Sequence, residues 1–288
     1  MNSLFNLLAR SHSSSRAVTT LILTVGLFNT VANSAASERV ISTDAGSTHI
    51  LMALGIKNAL VAVDVTSQVP SSLKVKRLGY HRALSAEGVL SLNPSLIIGS
   101  EHMGPPKTVE SIKKAGIALV QLPIARDEQL LKNNIATIGN LLDRDDQAKE
   151  LLERIDQSMI AIQQGKMPAN TPVLFLLQME GRGLRMAGKG TTGNDVITLL
   201  GGNNLGTHNG YQSISVEALL VLDPAIILVA GRQAEQSAVD LLLKDYPLLQ
   251  YSTAGEQGNI IAIESHSIVA GISLAAIEML VKITRRLR

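Results

Sequence analysis

The chain has 288 residues, no cysteine, no tryptophan, 2% aromatic residues and a formal net charge of +2. Without cysteine there can be no disulfide, thiolate zinc site or iron–sulfur cluster, and a near-neutral chain without basic runs offers no electrostatic footprint for nucleic acid. The length exceeds the usual single-domain mode of roughly 100 to 150 residues and allows two bodies, each with its own core.

At the start, Arg10 and Arg16 precede an uncharged apolar run from Ala17 to Ala32, and the small residues Ala32, Asn33, Ser34, Ala35 and Ala36 follow. That order predicts a secretory signal peptide over residues 1–36, with the exported chain beginning near Ser37. Its removal leaves 24 Lys and Arg against 24 Asp and Glu. No later segment reaches the roughly 18 to 20 apolar residues of a membrane span, so the exported chain is not expected to be membrane-embedded.

From residue 37 onward, short apolar runs alternate with helical periodicity. Arg39 to Thr43, Ala59 to Val63, Leu96 to Gly99 and Ala118 to Leu122 read as strands of a mostly parallel sheet. Thr48 to Leu54, Ser85 to Leu92 and Thr108 to Ala115 read as the intervening helices, which gives an α/β fold with βαβ crossovers. Leu130, Leu131, Ile135, Ile138, Leu141 and Leu142 follow helical spacing, and Leu151, Leu152, Ile155, Met159 and Ile160 do so again after a break at Asp143 to Asp146. The second helix, from near Asp145 to before Gly165, would span roughly 30 Å and act as a stiff tie rather than a flexible linker.

LSAEGVLSLNPSLIIGS, from Leu84 to Ser100, reappears as ISVEALLVLDPAIILVA, from Ile214 to Ala230, with six of 17 positions identical. Each copy reads as a capped helix, a proline that ends it and a buried strand. The repeat predicts two Rossmann-like lobes of one architecture, over 37–144 and 167–288, joined by a helix over 145–166, with a ligand cleft between them.

In parallel sheets, ligands gather at the carboxyl ends of strands. The candidate loops are therefore Asp44 to Thr48, Gly79 to Arg82, Ser100 to Pro106, Glu180 to Thr192 and Gly231 to Gln233. The five histidines after residue 36, at positions 49, 81, 102, 208 and 266, show no ligand-spaced pair for a metal ion, and no GxSxG, Walker or HExxH pattern marks an enzyme.

GYHRALSAEGVLSLNPSLIIGSEHMGPP, from Gly79 to Pro106, resembles the Tyr, Arg, Leu, Ser, Ala, Glu, Gly signature of the periplasmic haem-binding subunits of Gram-negative haem importers. The likeness continues through AGKGTTGNDVITLLGG and GYQSISVEALLVLDPAIILV. These later segments mark the wider superfamily of siderophore- and cobalamin-binding proteins with a rigid connecting helix. The resemblance implies a monomeric periplasmic protein that carries ferric haem to an inner-membrane ABC permease and performs no catalysis. It implies that Tyr80 supplies a phenolate to the iron, in accord with the preference of a hard cation for anionic oxygen. Arg82 would stabilise that phenolate or pair with a propionate.

His81 is expected at the surface beside Tyr80, whereas His102 and Met103 would cover one haem face. Arg182, Arg185, Lys189 and Arg232 are candidates for the propionates, with Arg232 first because the repeat sets it opposite His102. Relatives that take a second haem carry His where this chain has Gln178 and Met179, so one haem per chain is expected. Glu87 and Glu217, equivalent in the two repeats, would dock onto the permease. A ferric siderophore or cobalamin is the alternative cargo, against which the absence of Trp counts.

Overall fold

Runs of β-branched and aliphatic residues form two sheets whose successive side chains enter different cores. The computed structural model describes residues 38–179, 183–231 and 238–287. The first half contains β1 (Val40–Ser42), α1 (Ala45–Ala53), β2 (Leu60–Val63), β3 (Lys76–Arg77), α2 (Ala86–Leu90), β4 (Leu96–Ser100), α3 (Pro106–Lys114), β5 (Ala118–Leu122) and α4 (Glu128–Leu141). Its strands are all parallel, in the order β3-β2-β1-β4-β5. In β4, Leu96 and Ile98 point into one cluster and Ile97 into another, as period-two alternation requires of a strand covered on both faces.

α5 (Asp145–Gln164) follows a tight turn at Asp143, whose φ of 52° is left-handed. Asp145 and Asp146 in its first turn complement the helix dipole. The second half contains β6 (Pro172–Met179), β7 (Gly183–Ala187), α6 (Thr192–Leu199), β8 (Asn203–Asn204), β9 (Tyr211–Ser213), α7 (Val216–Leu222), β10 (Ile226–Gly231), α8 (Ala238–Asp245), α9 (Thr253–Glu256), β11 (Ile260–Glu264) and α10 (Leu274–Arg286). Its sheet runs β11-β10-β6-β7-β9, with β8 parallel to β6 and β7 antiparallel to both of its neighbours.

The sequence repeat folds as a structural repeat. Ser85 accepts a hydrogen bond from the Gly88 amide and Ser215 from the Ala218 amide, both at 3.2 Å, so each helix starts on a serine cap. Asn93 and Asp223, each before a proline, take φ of 45° and 39°, a region these two residue types tolerate well. The amides of Ser95 and Ala225 then donate to the carbonyls of Arg39, just ahead of β1, and of Pro172, the first residue of β6. The fold is thus α/β with two Rossmann-like halves. The departure is β7: the stretch Glu180 to Thr192, read as one loop, contains an antiparallel strand over Gly183–Ala187, because Leu184 packs into the second half's outer core and Met186 packs against it.

One core runs through both halves. Ala148, Leu151, Ile155, Met159 and Ile162 form the buried stripe of α5, at spacings of three and four residues. They belong to the cluster that also holds Val40 and Ile98 of the first sheet and Phe175 and Leu228 of the second. Among the described residues no helix is long and apolar enough to cross a membrane. Ile155→Ala should lower stability by about 2–5 kcal/mol, whereas Glu153→Ala on the exposed face of α5 should stay within about 0.5 kcal/mol. Because the core is shared, calorimetry of Ile155→Ala should show one unfolding transition moved to lower temperature, not two.

Candidate functional site

The carboxyl ends of the first sheet are stitched together by buried polar contacts. Asp44, directly after β1, caps α1 by accepting from the Ser47 amide at 2.8 Å and also accepts from the Ser100 amide at the end of β4. Burial pushes its carboxyl above the usual range, against the pull of those two donors. After β2, Asp64 is fully buried and accepts from the Ser67 amide and from the hydroxyls of Ser67 and Thr66. The carboxylate of Glu101, after β4, accepts from the Ile124 amide, after β5, at 3.1 Å.

Tyr80 stands on this platform, at the start of a one-turn helix over His81–Ala83. Its φ of −69° and ψ of 135° are extended, and its side chain is 45% exposed. The loop is fixed from two sides: the Gly104 amide donates to the His81 carbonyl and the Leu84 amide to the Gly104 carbonyl, each at 2.9 Å. No hydrogen bond to the Tyr80 hydroxyl exists among the described residues.

His81 is not at the surface as expected. It is 3% exposed, with Nδ1 at 3.3 Å from Asp64 Oδ2 and its ring 4.2 Å from that of Tyr80. Successive side chains point apart in a strand, but a 3-10 turn can fold a neighbouring side chain back beneath its predecessor. Arg82 is exposed, and its guanidinium donates to His102 Nδ1 at 2.7 Å. Since arginine only donates, Nδ1 is the acceptor and the neutral ring carries its proton on Nε2. Burial, then the charge of Arg82, lowers the pKa of His102 and favours that neutral form.

Met103 is brought elsewhere. It is 5% exposed and packs with Ile41, Ile97 and Ile112 on the outer face of the first sheet, in the space left beside Gly99. In this structure its thioether fills the lobe's core rather than flanking Tyr80. Glu87 and Glu217 are exposed in the first turns of α2 and α7, and hydrogen bonding at the start of α7 holds Glu217 below the usual carboxylate range. Arg185 lies on β7 with its guanidinium on the Tyr211 carbonyl, and Lys189 is exposed in the following loop. Gln178 donates to Asp245 at 2.8 Å. Arg182 and Arg232 lie outside the described residues.

Arg126 was not singled out from the sequence, although the rule that selects loops after apolar strands applies equally to the residues after β5. Its guanidinium reaches across to the second half, donating to the Gly190 carbonyl at 3.0 Å and to Asp195 Oδ2 at 3.3 Å. Next to it, the Ile272 amide donates to the Ala125 carbonyl at 2.6 Å. Gly271, at φ 98°, permits this approach: a Cβ there would lie 2.4 Å from the Ala125 oxygen. The carboxyl ends of β5 and β11 are thereby joined. Among the described residues no group of three or more His, Asp or Glu is placed to hold a metal ion.

A family model described as periplasmic binding protein matches residues 40–266, most of both halves. The chain belongs to the periplasmic binding protein family. Among solved structures, it is 34% identical to the periplasmic haem-binding protein HutB of Vibrio cholerae, covering 88% of this chain and 99% of that one at a TM-score of 0.78. A periplasmic haem-binding protein from Pseudomonas aeruginosa is 33% identical, over 87% of this chain and 92% of that one, at a TM-score of 0.75. Among curated proteins, the vitamin B12-binding protein of Vibrio cholerae is 24% identical over 70% of this chain and 78% of its own length. The chain is thus a periplasmic binding protein of the haem and cobalamin type, from a family of substrate-binding transport proteins.

His49 of α1 meets His266 beyond β11, edge to face at 5.7 Å, a contact between the two halves of this periplasmic binding protein. Burial, helped by the charge of His266, lowers the pKa of His49 from 6.5 to about 4. The unfolded chain therefore takes up a proton near pH 6.5 that the folded chain refuses until about pH 4. Stability is full above that window and falls as the pH drops through it, by at most about 3 kcal/mol. Urea unfolding of His49→Phe between pH 7 and pH 4.5 should show a flatter decline than that of the unaltered chain.

Proposed function

We propose that this periplasmic binding protein takes up one ferric haem between its halves, holds the iron through the Tyr80 phenolate, and delivers the haem to an inner-membrane ABC permease. The observation that carries the proposal is the setting of Tyr80: a half-exposed phenol on a pinned loop at the carboxyl ends of the first sheet, its hydroxyl unengaged, with a guanidinium two residues on. Two similar proteins of known structure are described as periplasmic haem-binding proteins. The relevant chemistry is ligation of ferric iron by an anionic oxygen. A free phenol has a pKa of about 10, so the phenolate must be favoured by the iron and by nearby positive charge.

Arg82 supplies that positive charge, and the neutral His102 adds a second donor beside it. The guanidinium and the Nε2 proton are both donors, which suits a carboxylate such as a haem propionate. Arg232, immediately after β10 as His102 is after β4, is proposed for the second propionate from its place in the repeat. With its thioether in the core, Met103 is left out of the ligand set. The reading of one haem per chain is supported by Gln178, whose amide, in place of a histidine, donates to Asp245. A signal peptide over residues 1–36, which lie outside the described residues, would direct the chain to the periplasm. Residues 37–144 and 167–288 would form the lobes, with 145–166 between them.

Cobalamin is the reading favoured by the curated relatives. Titration separates the two cargoes. Ferric haemin should give a shifted Soret band retained through gel filtration, and cyanocobalamin should elute free. Tyr80→Phe should weaken haem retention by at least about tenfold, a loss of 1.4 kcal/mol or more. An unchanged spectrum and unchanged retention in Tyr80→Phe would reject the ligand assignment.

Glu87 and Glu217, exposed on serine-capped first turns, are proposed to dock on cationic residues of the permease. Glu87→Lys with Glu217→Lys should abolish transport in reconstituted vesicles while the haem titration remains that of the unaltered chain.

A further inference from the structure

Asp64, His81 and Tyr80 form a stack whose lower two members have no part in the proposed ligand set. The Asp64 carboxylate is fully buried after β2. Ser67 donates to Oδ1 from its amide at 3.0 Å and from its hydroxyl at 2.7 Å, and the Thr66 hydroxyl reaches both oxygens at 2.9 and 2.8 Å. A buried carboxylate so supplied with donors is held in place. Its Oδ2 lies 3.3 Å from His81 Nδ1. The carboxylate can only accept, so Nδ1 carries the proton and the ring's tautomer and plane are set.

The backbone of His81 is fixed as well, through its carbonyl to the Gly104 amide at 2.9 Å. With Nδ1 engaged and the side chain 4% exposed, this imidazole is not free to swing out to a ligand. Its face is presented to Tyr80, ring centroids 4.2 Å apart and planes inclined at 51°. Tyr80 is the opposite case: half exposed, with no partner on its hydroxyl among the described residues. Left to itself, such a phenol would sample several rotamers and lose that freedom on binding.

We propose that His81, locked by Asp64, is a positioning residue for Tyr80. It holds the phenol ring in the orientation from which its oxygen meets the iron and does not touch the iron itself. The inference rests on Tyr80 being the iron ligand. Outer partners that orient a metal ligand commonly change affinity by 10- to 100-fold when removed, because the ligand must then be ordered at the moment of binding.

The discriminating variant is His81→Asn. Its side-chain amide can replace the Nδ1 proton towards Asp64 but offers no ring, so a role confined to satisfying the buried carboxylate would be rescued, whereas positioning would not. The expected result is a thermal midpoint near that of the unaltered chain, a haemin dissociation rate raised by about 10- to 100-fold, and a broadened iron–phenolate stretch in resonance Raman spectra. Unaltered dissociation together with an unaltered stretch would overturn the proposal. Tyr80→Phe, measured in parallel, separates the premises: if it binds haemin as the unaltered chain does, the ligand reading fails first.

A second measurement needs neither haem nor a stable variant. In the haem-free, unsubstituted protein with 13C-labelled tyrosine rings, Tyr80 should show one side-chain rotamer, and rotamer averaging there would also overturn the proposal.

Discussion

The burial of a single apolar stripe on α5 is the constraint on which the molecule is built. Ala148, Leu151, Ile155, Met159 and Ile162 do not belong to either half alone: they complete a core that begins under the first sheet and ends under the second. A helix buried along five positions cannot bend without opening that core, since close-packed interiors tolerate little displacement. The approach of the two sheets is therefore set by packing. The Ala125 to Ile272 backbone contact and the reach of Arg126 to Gly190 and Asp195 add polar registration. Asp195 is largely buried and Arg126 nearly half exposed, so this ion pair is worth little by itself. Its effect is directional, fixing where a guanidinium stands at the junction.

On that frame, the polar groups at the strand ends replace what a larger core would do for a loop. Asp44 joins the end of β1 to the end of β4, Glu101 joins the loop after β4 to that after β5, and Asp64 joins the loop after β2 to the Tyr80 turn. Each uses a carboxylate to satisfy backbone amides or an imidazole that would otherwise be buried without partners. A ligand meeting this surface finds groups that are already ordered, which lowers the ordering cost of recognition.

Much of this was legible in the residues. The alternation of Val40 with Ile41, and of Leu96 with Ile97, reflects strands covered on both faces, and the spacing of Leu151, Ile155 and Met159 marks one face of a helix. The repeat was legible even in its turn, because Asn93 and Asp223 are residue types that accept positive φ before proline. What was hidden depends on contacts distant in sequence. His81 looked like a surface residue because its partner, Asp64, lies 17 residues earlier and pairs with it only once β2 and β3 are adjacent. Met103 looked available because it lies in a loop after a strand, yet its flexible side chain packs with that of Thr43 over the bare Cα of Gly99. β7 was missed because a five-residue strand of mixed polarity carries almost no periodic signal.

The two halves share an architecture and differ in what they offer a ligand. In the first, every strand is parallel, and the loops at the carboxyl ends converge on one fixed tyrosine flanked by an arginine and a histidine. In the second, β7 runs against β6, so the chain turns back before reaching α6 and the parallel set is interrupted. The parallel set of that sheet is β6, β10 and β11, with the short β8 beside β6. That asymmetry arises from strand direction, a property of the backbone, rather than from any one side chain.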